Sequence, residues 1–149
     1  MTPETVARIG RSWIGTPFYP HMAKKGIGAD CVHLALEIYK EAGVLPKDLE
    51  LPEYSLDGGA HLVDSLVVQW LARSDLFEIV SRHPEQGELI TLKVGKVVHH
   101  VGIMVSSSTF VQSIRNAGVV ERDLRDPTWS NRLRGCWKPT KLCLEAQTI

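Results

Sequence analysis

Asp30-Cys31 places a thiol directly after a helix-capping residue in Gly28-Ala29-Asp30-Cys31-Val32-His33-Leu34. With Asp30 as N-cap, Cys31 is the first helical residue. There the unpaired N–H groups and the positive end of the helix dipole favour a thiolate, so the thiol pKa is expected to fall. A thiolate attacks carbonyl carbon, and the same N–H groups stabilise the oxyanion that results. A free cysteine is also commonly just a small buried hydrophobe, so this reading needs a base elsewhere in the chain.

His100 supplies that base. Val97-Val98-His99-His100-Val101-Gly102-Ile103-Met104-Val105 reads as a strand, Ser106-Ser107-Ser108 as a turn, and Thr109–Ser113 as an antiparallel return. A turn centred on Ser106 predicts His100 opposite Gln112, Gly102 opposite Phe110 and Val101 opposite Val111. Opposed Cβ atoms lie about 5 Å apart, so the Gln112 amide oxygen is placed to accept an imidazole N–H. That bond fixes the tautomer and leaves the other nitrogen to face Cys31, the logic of a Cys-His-Asn site. His99 is the competing base, but strand alternation points it to the other face.

These residues must be held by the elements around them. Thr2-Pro3 is a helix-start signal, with Val6, Ile9, Trp13 and Ile14 as the apolar stripe and Gly15-Thr16-Pro17 as the stop. A long loop leads to the helix opened by Asp30, in which Cys31, Leu34, Ala35, Ile38, Tyr39 and Ala42 recur at helical spacing before Gly43. Residues 45–59 are turn-rich, and Leu62, Leu66, Trp70 and Leu71 mark a third helix ending near Ser74. Short β-branched segments follow at Phe77–Val80, Glu88–Lys93, Val97–Val105, Thr109–Ile114 and Gly118–Arg122, with Leu133–Trp137 as a closing strand. Helices first and strands afterwards predict a segregated α+β domain. The expected division is a helical part over about residues 1–75 and a β part over about 76–140, one domain across 1–149.

Composition narrows the function classes. The 17 Lys and Arg balance 17 Asp and Glu, with no long basic run, which argues against electrostatic capture of nucleic acid or an anionic membrane. Three cysteines without Cys-x-x-Cys form neither a disulfide scaffold nor a common zinc motif. Six histidines include no His-Glu-x-x-His, which disfavours a metal-dependent hydrolase. The N-terminus lacks the pattern of a secretory signal, so the expectation is cytoplasmic synthesis, or export by a route that the N-terminus does not show.

Taken together, the chain resembles the NlpC-type family of papain-like cell-wall peptidases, especially its phage-associated members. The resemblance runs from Trp13 to about Pro139. It rests on Trp13-Ile14-Gly15-Thr16-Pro17-Phe18, Gly28-Ala29-Asp30-Cys31, Leu51-Pro52-Glu53-Tyr54-Ser55, Pro84-Glu85-Gln86-Gly87-Glu88-Leu89-Ile90, His100-Val101-Gly102-Ile103 and Phe110-Val111-Gln112. It implies a papain-like fold, with N-terminal helices carrying the cysteine packed on a small antiparallel β-barrel or sheet. The implied roles are Cys31 as nucleophile, His100 as base and Gln112 as the orienting third residue, with no metal and no cofactor. The implied substrate is a peptidoglycan stem peptide cut at bonds of the D-glutamyl or diaminopimelate type, with phage tail proteins as possible carriers.

Three positions depart from the family pattern. Phe18 stands where a tyrosine is common, and Tyr19 beside it is the expected oxyanion or substrate-binding residue. His33 replaces the small residue that usually follows the cysteine, and is expected to narrow the cleft, contact substrate or point to solvent. Gln112 stands where histidine is commoner. The alternative reading is a catalytically silent phage-tail or wall-binding component of the same fold. Transfer to another acceptor, which shares the nucleophilic step, is not separated from hydrolysis by these residues.

Overall fold

The computed structural model describes residues 2–51, 60–95 and 97–142. Helix α1 (Pro3–Ser12) starts where Thr2 accepts the Thr5 N–H and Pro3 supplies a preset φ at the first turn. Its buried stripe, Val6, Ala7, Ile9 and Gly10, faces the core. A two-residue hairpin, β1 (Ala23–Lys24) and β2 (Gly28–Ala29), lies in the segment expected to be loop. Strands this short carry no readable alternation. Helix α2 (Cys31–Glu41) follows at once, and α3 (Ala60–Arg73) completes the helical half. Most of the Leu51–Ser55 block lies outside the described residues.

The β half contains β3 (Phe77–Val80), β4 (Leu89–Val94), β5 (Val97–Met104), β6 (Thr109–Ile114), β7 (Gly118–Asp123) and β8 (Leu133–Pro139). The order is β3-β8-β4-β5-β6-β7 with antiparallel pairing throughout, the last strand inserting between β3 and β4. Among the described residues the sheet is open, with β3 and β7 as edges, and not a closed barrel. A four-residue helix, α4 (Pro127–Ser130), precedes β8; its Asp126-Pro127 start is a normal cap signal, but one turn is too short for a periodic stripe.

Each sheet face has its own core. Val101, Ile103, Val105 and Val111 join Val6, Ile9, Leu34, Ile38 and Tyr39 of the helices. Ile90, Leu92, Met104 and Phe110 form a second cluster with Leu124, covered by Trp129 and Leu133. The alternation along β5 and β6 thus separates two faces, as a period of two requires. Among the described residues no helix is long and apolar enough to cross a membrane.

The β5–β6 register differs from the sequence expectation. Ile103 pairs with Val111 and Met104 with Phe110, two residues away from a turn centred on Ser106. The cause is local: Ser106 Oγ accepts the N–H groups of Ser108 and Thr109, and Thr109 O accepts the N–H of Val105. Ser106–Ser108 therefore forms a three-residue loop about Ser107, since a serine hydroxyl mimics a backbone turn acceptor. A shift of two preserves which face each side chain occupies.

Candidate active site

The start of α2 is built around Asp30, which is wholly buried. Its Oδ1 accepts the His33 N–H at 2.8 Å, the cap that begins the helix at Cys31. Its Oδ2 accepts the His21 N–H at 2.6 Å, and the Asp30 N–H itself donates to Met22 O. The carboxylate therefore binds the preceding loop to the helix as well as capping it. The cap is legible in the sequence and the clamp is not, because nothing marks a backbone N–H nine residues upstream as the second donor.

The loop is laid against residues 28–30 by backbone bonds, with the Tyr19 N–H donating to Ala29 O and the Ala29 N–H to Pro17 O. Gly28 is needed here, since a Cβ would stand 2.5 Å from Tyr19 Cβ. Tyr19 is 58% exposed beside this loop, while Phe18 is half-buried under the Arg115 guanidinium. The His33 ring turns back onto the helix cap, with Nδ1 at 3.0 Å from both Asp30 oxygens, and remains partly exposed.

Cys31 is buried, and the backbone N–H groups of Val101, Val32 and Cys31 itself lie near enough to favour its thiolate. The expected fall in its pKa is reversed. Burial pushes the thiol up to about 12, the Asp30 carboxylate adds to the rise, and the three amides pull the other way without prevailing. A helix N-terminus stabilises a thiolate only as far as desolvation allows, so ionisation at neutral pH requires a base that takes the proton.

Val101, whose N–H favours the Cys31 thiolate, follows His100 directly in β5. A bulge lies there: Leu92 pairs with His100 and Lys93 with Val98, leaving His99 as the extra residue. A second bulge interrupts the β4–β8 ladder beside Leu92. Paired bulges bend the strands locally and re-aim side chains. The direction of the His99 side chain lies outside the described residues.

His100 Nε2 bonds Gln112 Oε1 at 2.5 Å, with both residues buried. In the observed register they are diagonal neighbours, within reach of long side chains, so the expected contact forms by a different pairing. An amide oxygen only accepts, so Nε2 carries the proton and Nδ1 is the basic nitrogen. Gln112 Nε2 is buried without a hydrogen-bond partner among the described residues, a cost borne where the oxygen faces the imidazole. Ser113, which sequence reading did not single out, donates from Oγ to Ala29 O at 2.6 Å and ties β6 to the approach to Cys31.

Cys136 lies elsewhere, its thiol donating to the buried Glu88 carboxylate. Among the described residues no three His, Cys, Asp or Glu side chains are grouped to hold a metal ion. Cys143, and with it any pairing to Cys136, lies outside the described residues.

The NlpC/P60 family model matches residues 15–138. No curated protein matches in sequence. Among solved structures, an NlpC/P60 family protein from Bacillus cereus is similar at 19% identity and a TM-score of 0.64, over 91% of this chain and 39% of that one. A lipoprotein-like NLP/P60 family protein from Staphylococcus aureus is similar at 21% identity and a TM-score of 0.61, over 92% of this chain and 41% of that one. The NlpC/p60 domain of the peptidoglycan hydrolase SagA is similar at 14% identity and a TM-score of 0.61, over 93% of this chain and 99% of that one. The chain thus spans about two fifths of the first two proteins and nearly all of the third.

Proposed function

Because the chain belongs to the NlpC/P60 family, we propose that it is a cysteine peptidase that hydrolyses amide bonds of peptidoglycan stem peptides, of the D-glutamyl or diaminopimelate type. The observation that carries this reading is the buried hydrogen bond between His100 and Gln112, one residue from Val101, whose amide favours the Cys31 thiolate. The similarity to the SagA hydrolase domain supports the substrate class.

In this mechanism His100 Nδ1 takes the Cys31 proton as the sulfur attacks the scissile carbonyl carbon. The new oxyanion is met by the Cys31 N–H, with Tyr19 as a second contributor. Collapse breaks the C–N bond, and the departing amine takes the proton from His100. Water, deprotonated by the same imidazole, then attacks the thioester and releases the acid and the thiol. Gln112 holds the tautomer throughout. Transfer to an amine in place of water uses the same steps.

The deciding experiment incubates purified peptidoglycan with the wild type and with Cys31→Ala, and identifies released fragments by mass. Cleavage by the wild type alone is expected; cleavage by the folded variant overturns the mechanism. Likeness of the sequence blocks to phage-associated members supports a further proposal, that a phage or prophage tail carries the domain to the wall. Co-purification with tail particles tests it.

A second reading, a silent member of the fold, is favoured by the burial that pushes Cys31 up to about 12. It predicts no fragments from either protein and equal, slow alkylation of the thiols.

A further inference from the structure

We propose that His33 is a positioning residue for the Cys31 nucleophile, its ring N–H holding the buried Asp30 carboxylate in the one orientation that joins the His21 loop to the helix start. The inference rests on the peptidase reading of Cys31, and its principal readout is the thiol itself, which needs no substrate.

The geometry is specific to the ring. Nδ1 sits 3.0 Å from Oδ1 and 3.0 Å from Oδ2, bridging both oxygens, while the backbone N–H of the same residue reaches Oδ1 at 2.8 Å. A carboxylate is acceptor-only when ionised, so Nδ1 is the donor and carries the proton. His21, whose N–H takes Oδ2, holds a φ of 60°, a left-handed conformation unusual for a residue other than glycine. The Asp30 carboxylate is thus the fixed point around which a strained loop is wound.

The bridge also has an electrostatic consequence. Asp30 is the nearest carboxylate to Cys31 in sequence and is fully buried, so its charge opposes formation of a thiolate one residue away. A donor that bridges both oxygens offsets part of that field, and it keeps the carboxylate turned toward His21 and the helix amides. Asp30 acts on the thiol directly, and His33 acts on it through Asp30. The side chain of His21 stands edge-on to the His33 ring at 6.4 Å.

The test compares three substitutions. An asparagine amide places an N–H where His33 has Nδ1, whereas a glutamine amide places it nearer Nε2. The alkylation rate of Cys31 at neutral pH is therefore expected to fall about tenfold in His33→Ala and His33→Gln and to stay near wild type in His33→Asn. Thermal unfolding and circular dichroism are run in parallel to establish that all three fold. Equal alkylation in His33→Ala and the wild type overturns the proposal, as does rescue by glutamine as complete as rescue by asparagine. If the wild type releases no peptidoglycan fragments yet the alkylation pattern holds, the peptidase reading fails and the positioning role stands.

Discussion

Ser113 Oγ donates to the carbonyl of Ala29 across 84 residues of chain. One bond therefore fastens the strand that carries Gln112 to the residue two before Cys31. Together with the Val101 N–H that favours the Cys31 thiolate and the His100–Gln112 bond, it gathers the two halves of the fold at one point.

Ser113→Ala removes that fastening and leaves the buried Ala29 carbonyl with only the longer, 3.3 Å bond from the Tyr19 N–H among the described residues. A loss of about 1 kcal/mol in unfolding free energy is expected from urea titration. Cleavage is expected to fall more than so small a stability loss explains, through loosened alignment of Cys31 with His100. A rate unchanged within error argues against any alignment role.

Gln112→Ala strips His100 of the acceptor that holds its tautomer, but leaves the base in place. Its cleavage rate is expected to lie between those of the wild type and His100→Ala. Gln112→Glu puts a carboxylate at the same nitrogen, which favours imidazolium and raises the His100 pKa. The acid limb of the pH–rate profile is then expected to move to higher pH; a shift to lower pH would contradict the assigned contact.

Burial holds both Cys31 and Cys136 up to about 12, so neither thiol ionises alone at neutral pH. Faster alkylation of Cys31 at neutral pH therefore reports the base. In His100→Ala the two thiols are expected to label slowly, with rates rising about tenfold per pH unit below their pKa as the thiolate fraction grows. Peptide mapping by mass after timed iodoacetamide exposure reads both sites in one sample.

Arg82 clamps the buried Glu88 with 2.9 and 2.6 Å bonds at the lead into β4. Burial works against the Glu88 charge, yet Arg82, the Glu85 N–H and the Cys136 thiol together hold its carboxyl below the usual range. A depressed folded pKa contributes stability above the unfolded value, lost as pH falls through the folded one. Arg82 is itself partly exposed, so solvent screens the pair. Arg82→Ala is expected to cost about 1–3 kcal/mol at neutral pH. In urea titrations the gap to wild type should narrow below about pH 4.

Much of the site was legible because its signals are local. A cap residue before a thiol, a β-branched run around His100 and a polar residue on the return strand each follow from a few neighbours in sequence. Helix α2 and strands β3 and β6 carry the expected bounds for the same reason. The two-residue β1–β2 hairpin and the single turn of α4 escape, being shorter than the periods that reveal strands and helices.

Residue order alone determined the chemistry available: which thiol stands at a helix start, which imidazole lies on a strand, and that helices precede strands. Tertiary structure decided how those groups act. The Ser106 hydroxyl set a register that turned an expected opposed pair into a diagonal one. Burial raised a thiol that its helix position alone would have lowered. His33 closed on Asp30, where sequence offered only a bulky residue in an unusual place. Desolvation and long-range hydrogen bonds depend on what the rest of the chain brings near, and that is not written in the spacing of neighbours.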